Sequence, residues 1–98
     1  MDGIVTFTVE STNLDAERIA RLSEEVLALG LKTALTLTEG GDMALPVGTY
    51  GAVIRIDDQM EQLKRYYRSL VAVMRKLRIK GTYFVNVSQT PTFVCGKL

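Results

Sequence analysis

The 98 residues are 47% hydrophobic and carry a net charge of only +1, enough apolar material for one domain with its own core and far from the strongly basic balance of a dedicated nucleic-acid domain. A lone Cys95 excludes an intramolecular disulfide, and the absence of histidine removes the commonest general base and metal ligand together. No apolar run reaches the ~18 residues of a membrane span and no basic stub with an apolar core opens the chain, so a cytoplasmic, reducing setting is expected.

Residues 4–10 alternate Val5, Phe7 and Val9 against Thr6, Thr8 and Glu10, the pattern of a half-buried strand. Ser11-Thr12-Asn13 reads as the start of a helix, with Thr12 or Asn13 as its cap and Asp15 and Glu17 in the first turn. Ile19, Leu22, Val26 and Leu29 recur at helical spacing until Gly30 stops the run. Residues 31–38 alternate again and predict a second strand. Glu39-Gly40-Gly41-Asp42 is a strong turn signal, and the apolar stretch that follows (Met43, Ala44, Leu45, Pro46, Val47) is broken by proline and Gly48. Residues 39–49 therefore read as one long connection. Residues 50–57 predict a third strand with Ala52, Ile54 and Ile56 inward.

Residues 57–80 (DDQMEQLKRYYRSLVAVMRKLRIK) form the longest periodic segment. Asp58 and Glu61 have capping-box spacing, and their charges suit the positive end of the helix dipole. Leu63, Tyr67, Leu70, Met74 and Leu77 fall on one stripe, with Tyr66 and Val73 beside it. Lys64, Arg65, Arg68, Arg75, Lys76 and Arg78 collect on the opposite arc, and Gly81 offers a terminator. The stripe lasts too few heptads for a coiled coil, so it reads as a core helix. Residues 82–88 predict a fourth strand with Tyr83, Val85 and Val87 on one face. Beyond Pro91, residues 92–95 suit a short edge strand.

The order strand, helix, strand, strand, helix, strand implies a single α+β domain of the ferredoxin-like βαββαβ type. Four antiparallel strands would form its sheet, with both helices on one face. The uncovered face would carry Thr6, Thr8, Thr36, Thr38, Asn86, Ser88 and one large apolar residue, Phe84. A threonine-rich open face packs well against a second sheet, so two-fold self-association is expected.

Catalytic chemistry has little to work with. Asp57 and Asp58 are explained by capping, Glu39 and Asp42 by a solvated turn, and Cys95 has no histidine to activate it. The glycine pair at 40–41 leads from strand to strand, whereas phosphate-cradling loops lead into a helix. The Asn86-Val87-Ser88 acceptor triplet lies inside a predicted strand. Base stacking on the sheet needs aromatics on the central strands, where Thr6, Thr8, Gly51, Val53 and Arg55 stand instead. Charge is the strongest remaining signal. Residues 1–58 hold ten acids and four cations (net −6), whereas residues 59–98 hold one acid and eight cations (net +7). The expected function is that of a non-catalytic protein-binding module, without a cofactor or metal. It would act through Lys64, Arg65, Arg68, Arg75, Lys76 and Arg78 together with Met43 and Leu45 of the apolar connection. Two alternatives compete: nucleic-acid binding through the same cations without sequence specificity, and small-ligand sensing by a homodimer. The last rests on fold analogy.

Overall fold

A computed structural model describes residues 2–37 and 41–89, with side chains for all of these but 2 and 35–43. The elements in order are β1 (Asp2–Ser11), α1 (Ala16–Ala28), β2 (Ala34–Leu37), β3 (Gly41–Ala44), β4 (Thr49–Arg55), α2 (Gln59–Lys76) and β5 (Gly81–Ser88). Three of the strands make an antiparallel sheet in the order β4-β1-β5, while β2 and β3 pair with each other.

The alternation of β1 explains why it is central. Val5 lies opposite Ala52 and Val87, and Phe7 opposite Tyr50 and Val85, so the apolar set of all three strands shares one face. Leu22 and Val26 of α1 and Leu70, Val73 and Met74 of α2 complete the core on that face. Phe7, Leu22 and Leu70 are wholly buried, each contributing about 1.5–3 kcal/mol of transfer free energy. The Phe7 and Tyr50 rings stack at 5.9 Å, and the Tyr50 hydroxyl lies 3.0 Å from Ser23 Oγ, which satisfies its polar end inside the core. On the opposite face, Thr6 and Thr8 are half-buried, while Val53 and Phe84 stand exposed.

The expected fourth strand does not join this sheet. Lys32 makes a two-bond bridge to Gly51 at the outer edge of β4, at 2.7 and 2.9 Å. The chain bends at Thr33, and residues 34–37 then pair with 41–44. Residues 34–37 and 41–44 lie close together in sequence, so their pairing closes at somewhat lower entropic cost than a ladder with β4. Part of the expected 39–49 connection is thus strand β3, and the Leu45 amide donates to the Thr33 carbonyl at 2.8 Å. The expected edge strand at 92–95 and Cys95 lie outside the described residues, as does Thr38.

Two helix ends also differ from expectation. The cap of α1 is Asp15, whose Oδ1 accepts from the Arg18 amide at 2.8 Å. Thr12 and Asn13 precede it because the Asn13 side chain is engaged elsewhere: it donates to the Arg78 carbonyl and accepts from the Lys80 amide, both at 2.9 Å. Helix α2 starts at Gln59 and ends at Lys76, shorter than the periodic segment. Its terminator is Arg78, held at φ 55°, and not Gly81. Gly81, at φ 154°, instead begins β5, where a Cβ would collide with the Glu10 carbonyl oxygen across the ladder.

Candidate functional site

The cationic face of α2 is positioned by the helix's own ends. Asp58 Oδ1 accepts from the Glu61 amide at 3.1 Å, as the capping-box spacing predicts. Gln62 adds a separate bond, its Oε1 accepting from the amide of Asp57, the residue before the cap, at 3.1 Å. Leu70, Val73 and Met74 bury one side of the helix, and Leu63, Tyr66 and Leu77 pack half-buried around them. Lys64, Arg65, Arg68, Arg75, Lys76 and Arg78 are all exposed.

These six cations do not form one arc. At 100° per residue Lys64, Arg68 and Arg75 share a row, and Arg65 and Lys76 share another about 90° away. The second row faces α1: Lys76 Nζ pairs with Glu25, and Arg65 borders a depression closed by Leu29. The first row faces solvent, and its Arg75 reaches β5, lining a depression of about 180 Å³ with Tyr67, Ile79, Thr82 and Tyr83. No carboxylate among the described residues pairs with Lys64, Arg65, Arg68, Arg75 or Arg78. Glu61 is the one acid on this part of the helix.

Tyr67 departs from the sequence reading, which puts it on the core stripe and Tyr66 on the shoulder of that stripe. Tyr66 is the half-buried one, and Tyr67 is 44% exposed at the α2–β5 border. Its ring meets that of Tyr83, itself 43% exposed, at 6.1 Å and 39°. The hydroxyl of Tyr67 holds the Tyr83 phenol above its ordinary value, burial and the Tyr67 charge act in the same direction, and Arg75 pulls it back. Strand alternation had placed Tyr83 facing α2. The helical wheel could have indicated Tyr67 as well, because it sits some 60° from the centre of the buried stripe.

Strand β5 is an edge of the sheet among the described residues. The Val9 amide donates to the Gly48 carbonyl at 2.9 Å, so odd-numbered residues of β1 bond toward β4 and even-numbered ones toward β5. By the register, Tyr83, Val85 and Val87 therefore turn their backbone groups away from the sheet. Gln59 Nε2 donates to the Val87 carbonyl at 2.7 Å, and Gln62 Nε2 covers the Arg55 carbonyl of β4 at 2.8 Å. The first turn of α2 thus blunts one end of both sheet edges. The outward groups of Tyr83 and Val85 have no partner among the described residues.

The apolar connection is held by β1 and the segment after α1, through Val9 and Thr33. Val47 is 86% exposed beside exposed Pro46, Leu45 is half-buried, and the Met43 side chain is outside those described. No group of three or more His, Cys, Asp or Glu residues that could hold a metal occurs among the described residues, and no helix there is long and apolar enough to cross a membrane. No known protein family, curated protein or solved structure matches this chain.

Proposed function

We propose that the chain is a non-catalytic protein-binding module, an adaptor, regulator or inhibitor of a larger assembly, that docks through the cationic face of α2. The observation that carries this reading is the row Lys64, Arg68 and Arg75, which no carboxylate among the described residues neutralises and whose Arg75 stands beside an exposed tyrosine pair. Tyrosine and arginine are, with tryptophan, the residues enriched at contact hot spots. Val47 and Leu45 supply an apolar rim of the same module. The scaffold is read as ferredoxin-like: β1 separates β4 from β5, and the Lys32 bridge continues the order beyond β4, so each βαβ unit is split by a strand of the other. Affinity capture from cells of origin tests the function. A protein retained by the wild type and lost with Arg68→Glu/Arg75→Glu supports it, and identical captures from both forms overturn it.

Nucleic-acid binding stands second, because Tyr67 is exposed, stands between Arg65 and Arg68 in the sequence and is available to stack. That reading requires affinity for an oligonucleotide to fall steeply with salt, with a slope of about 0.9 per phosphate contacted. A flat salt response removes it.

A further inference from the structure

We infer that the α2–β5 border takes an extended, acidic segment of a protein partner, added as a strand beside β5 with its carboxylates on Lys64, Arg68 and Arg75. The inference rests on the protein-binding reading and gives it a mode and a partner chemistry. Three observations converge on it.

The first is the edge itself. The outward N–H and C=O groups of Tyr83 and Val85, without a partner among the described residues, offer a short ladder, and Gln59 marks where it stops at Val87. Paired backbone groups are what a strand-addition site supplies, and side chains then select the partner. The second is geometry. Asn86 and Val87 lie beside Gln59 and Met60, whereas Thr82 and Tyr83 lie beside Arg75, so α2 runs antiparallel along β5. The cation row from 64 to 75 spans about 16 Å of helix, and β5 from 82 to 87 about 17 Å of strand. Lys64 and Arg68 are about 6 Å apart along the axis, close to the ~6.7 Å between alternate residues of a strand. Alternate side chains of an added strand would then reach the cations, and the others would lie beside Phe84, which is 61% exposed on the opposite face.

The third is charge. A second copy pairing β5 to β5 would bring two cation rows side by side, with only Glu61 from each helix to oppose them. Like charges so placed disfavour that occupant, and an acidic strand relieves the same field. Nucleic acid would satisfy the cations but leave the ladder of Tyr83 and Val85 unused.

The test uses the full chain and a synthetic peptide of alternating glutamate and valine about as long as β5. Binding is followed by titration calorimetry and by amide hydrogen exchange at Tyr83 and Val85. The proposal expects binding, slower exchange at both amides, and loss of binding with Arg68→Glu/Arg75→Glu. It also expects no binding of the lysine–valine counterpart. Methylating alternate peptide nitrogens in the register that faces β5 should weaken binding roughly tenfold or more, the effect of removing two backbone hydrogen bonds. Binding that ignores methylation and leaves both amides exchanging freely overturns strand addition while the cationic-face reading stands. Amides already protected before peptide is added mean the edge is filled, and the proposal falls. An oligonucleotide that outcompetes the peptide overturns it in favour of nucleic acid. Charge-reversal loss of a captured cellular partner, with no peptide binding, separates failure of this inference from failure of the reading beneath it.

Discussion

Both helices close in the same way, and the difference between their closing residues is a direct measure of backbone strain. The Gly30 amide donates to the Leu27 carbonyl at 2.9 Å and the Leu31 amide to Val26 at 3.2 Å; at the other helix Arg78 donates to Arg75 at 3.1 Å and Ile79 to Met74 at 3.0 Å. Each is a Schellman closure, with buried Leu31 returning to Val26 and Ile79 to Met74. The left-handed position is Gly30 at φ 92° in one and Arg78 at φ 55° in the other. Arg78→Gly should therefore stabilise the fold by about 1 kcal/mol, and Gly30→Ala, where a Cβ meets nothing within 4 Å, should destabilise it by about the same amount. Urea unfolding midpoints check both, and an unmoved pair would mean that these closures carry no strain. The sequence pointed to Gly81 because glycine is the usual signal for such a stop, and an arginine in that conformation leaves none. The second residue-scale expectation concerns Tyr83. Its raised folded pKa favours the neutral phenol, so the stability from its contact with Tyr67 is fully present below the ordinary phenol value and falls as pH rises through the raised one. Tyr67→Phe should move the Tyr83 titration back down and Arg75→Ala further up, read from tyrosine ring resonances across an alkaline series.

Among elements, the two loops at the Gly81 end of the sheet are joined by one side chain. Asn13 Nδ2 donates to the Arg78 carbonyl and Asn13 Oδ1 accepts from the Lys80 amide, while the Ser11 hydroxyl lies 2.7 Å from the same oxygen and against the Lys80 carbonyl. Arg18 Nε adds a bond to the Leu77 carbonyl at 3.3 Å. The β1–α1 loop therefore carries the end of α2, which explains why Asn13 is unavailable as a helix cap. Asn13→Ala should cost about 2 kcal/mol, and Asn13→Asp, which keeps the acceptor and loses the donor, about half of that, by thermal or urea unfolding. Equal losses would show that the Arg78 bond contributes nothing. The strands of the three-stranded sheet were legible because their alternation is strict and their partners are fixed by which face is buried. The fate of residues 34–37 was not, since alternation says that a strand forms and leaves its partner open. Pairing with the neighbouring residues 41–44 decided it.

For the whole molecule, the opposed charges of the two chain segments meet at few places. Lys76 with Glu25 is the one ion pair between the helices among the described residues; Arg18–Asp15 and Arg21–Glu17 are internal to the α1 segment, and Arg55–Asp57 joins near neighbours in sequence. Exposure of the five α2 cations, and of Arg78 just past the helix, followed from their spacing. Their division into two rows is a consequence of topology, because only the positions of α1 and β5 decide which row is partnered. This division yields a paired test. Arg68→Glu/Arg75→Glu changes exposed groups that make no ion pair among the described residues, so stability should move by no more than about 0.5 kcal/mol. Arg65→Glu/Lys76→Glu removes one helix-to-helix pair and sets a new carboxylate against Glu25, costing up to about 1 kcal/mol at exposed positions. Contact with a partner should follow the opposite order, lost with the first pair and kept with the second. Unfolding curves and binding titrations on the same two proteins read both quantities. If binding tracked the loss of stability in place of the position of the charge, the row along β5 would have no special part in recognition.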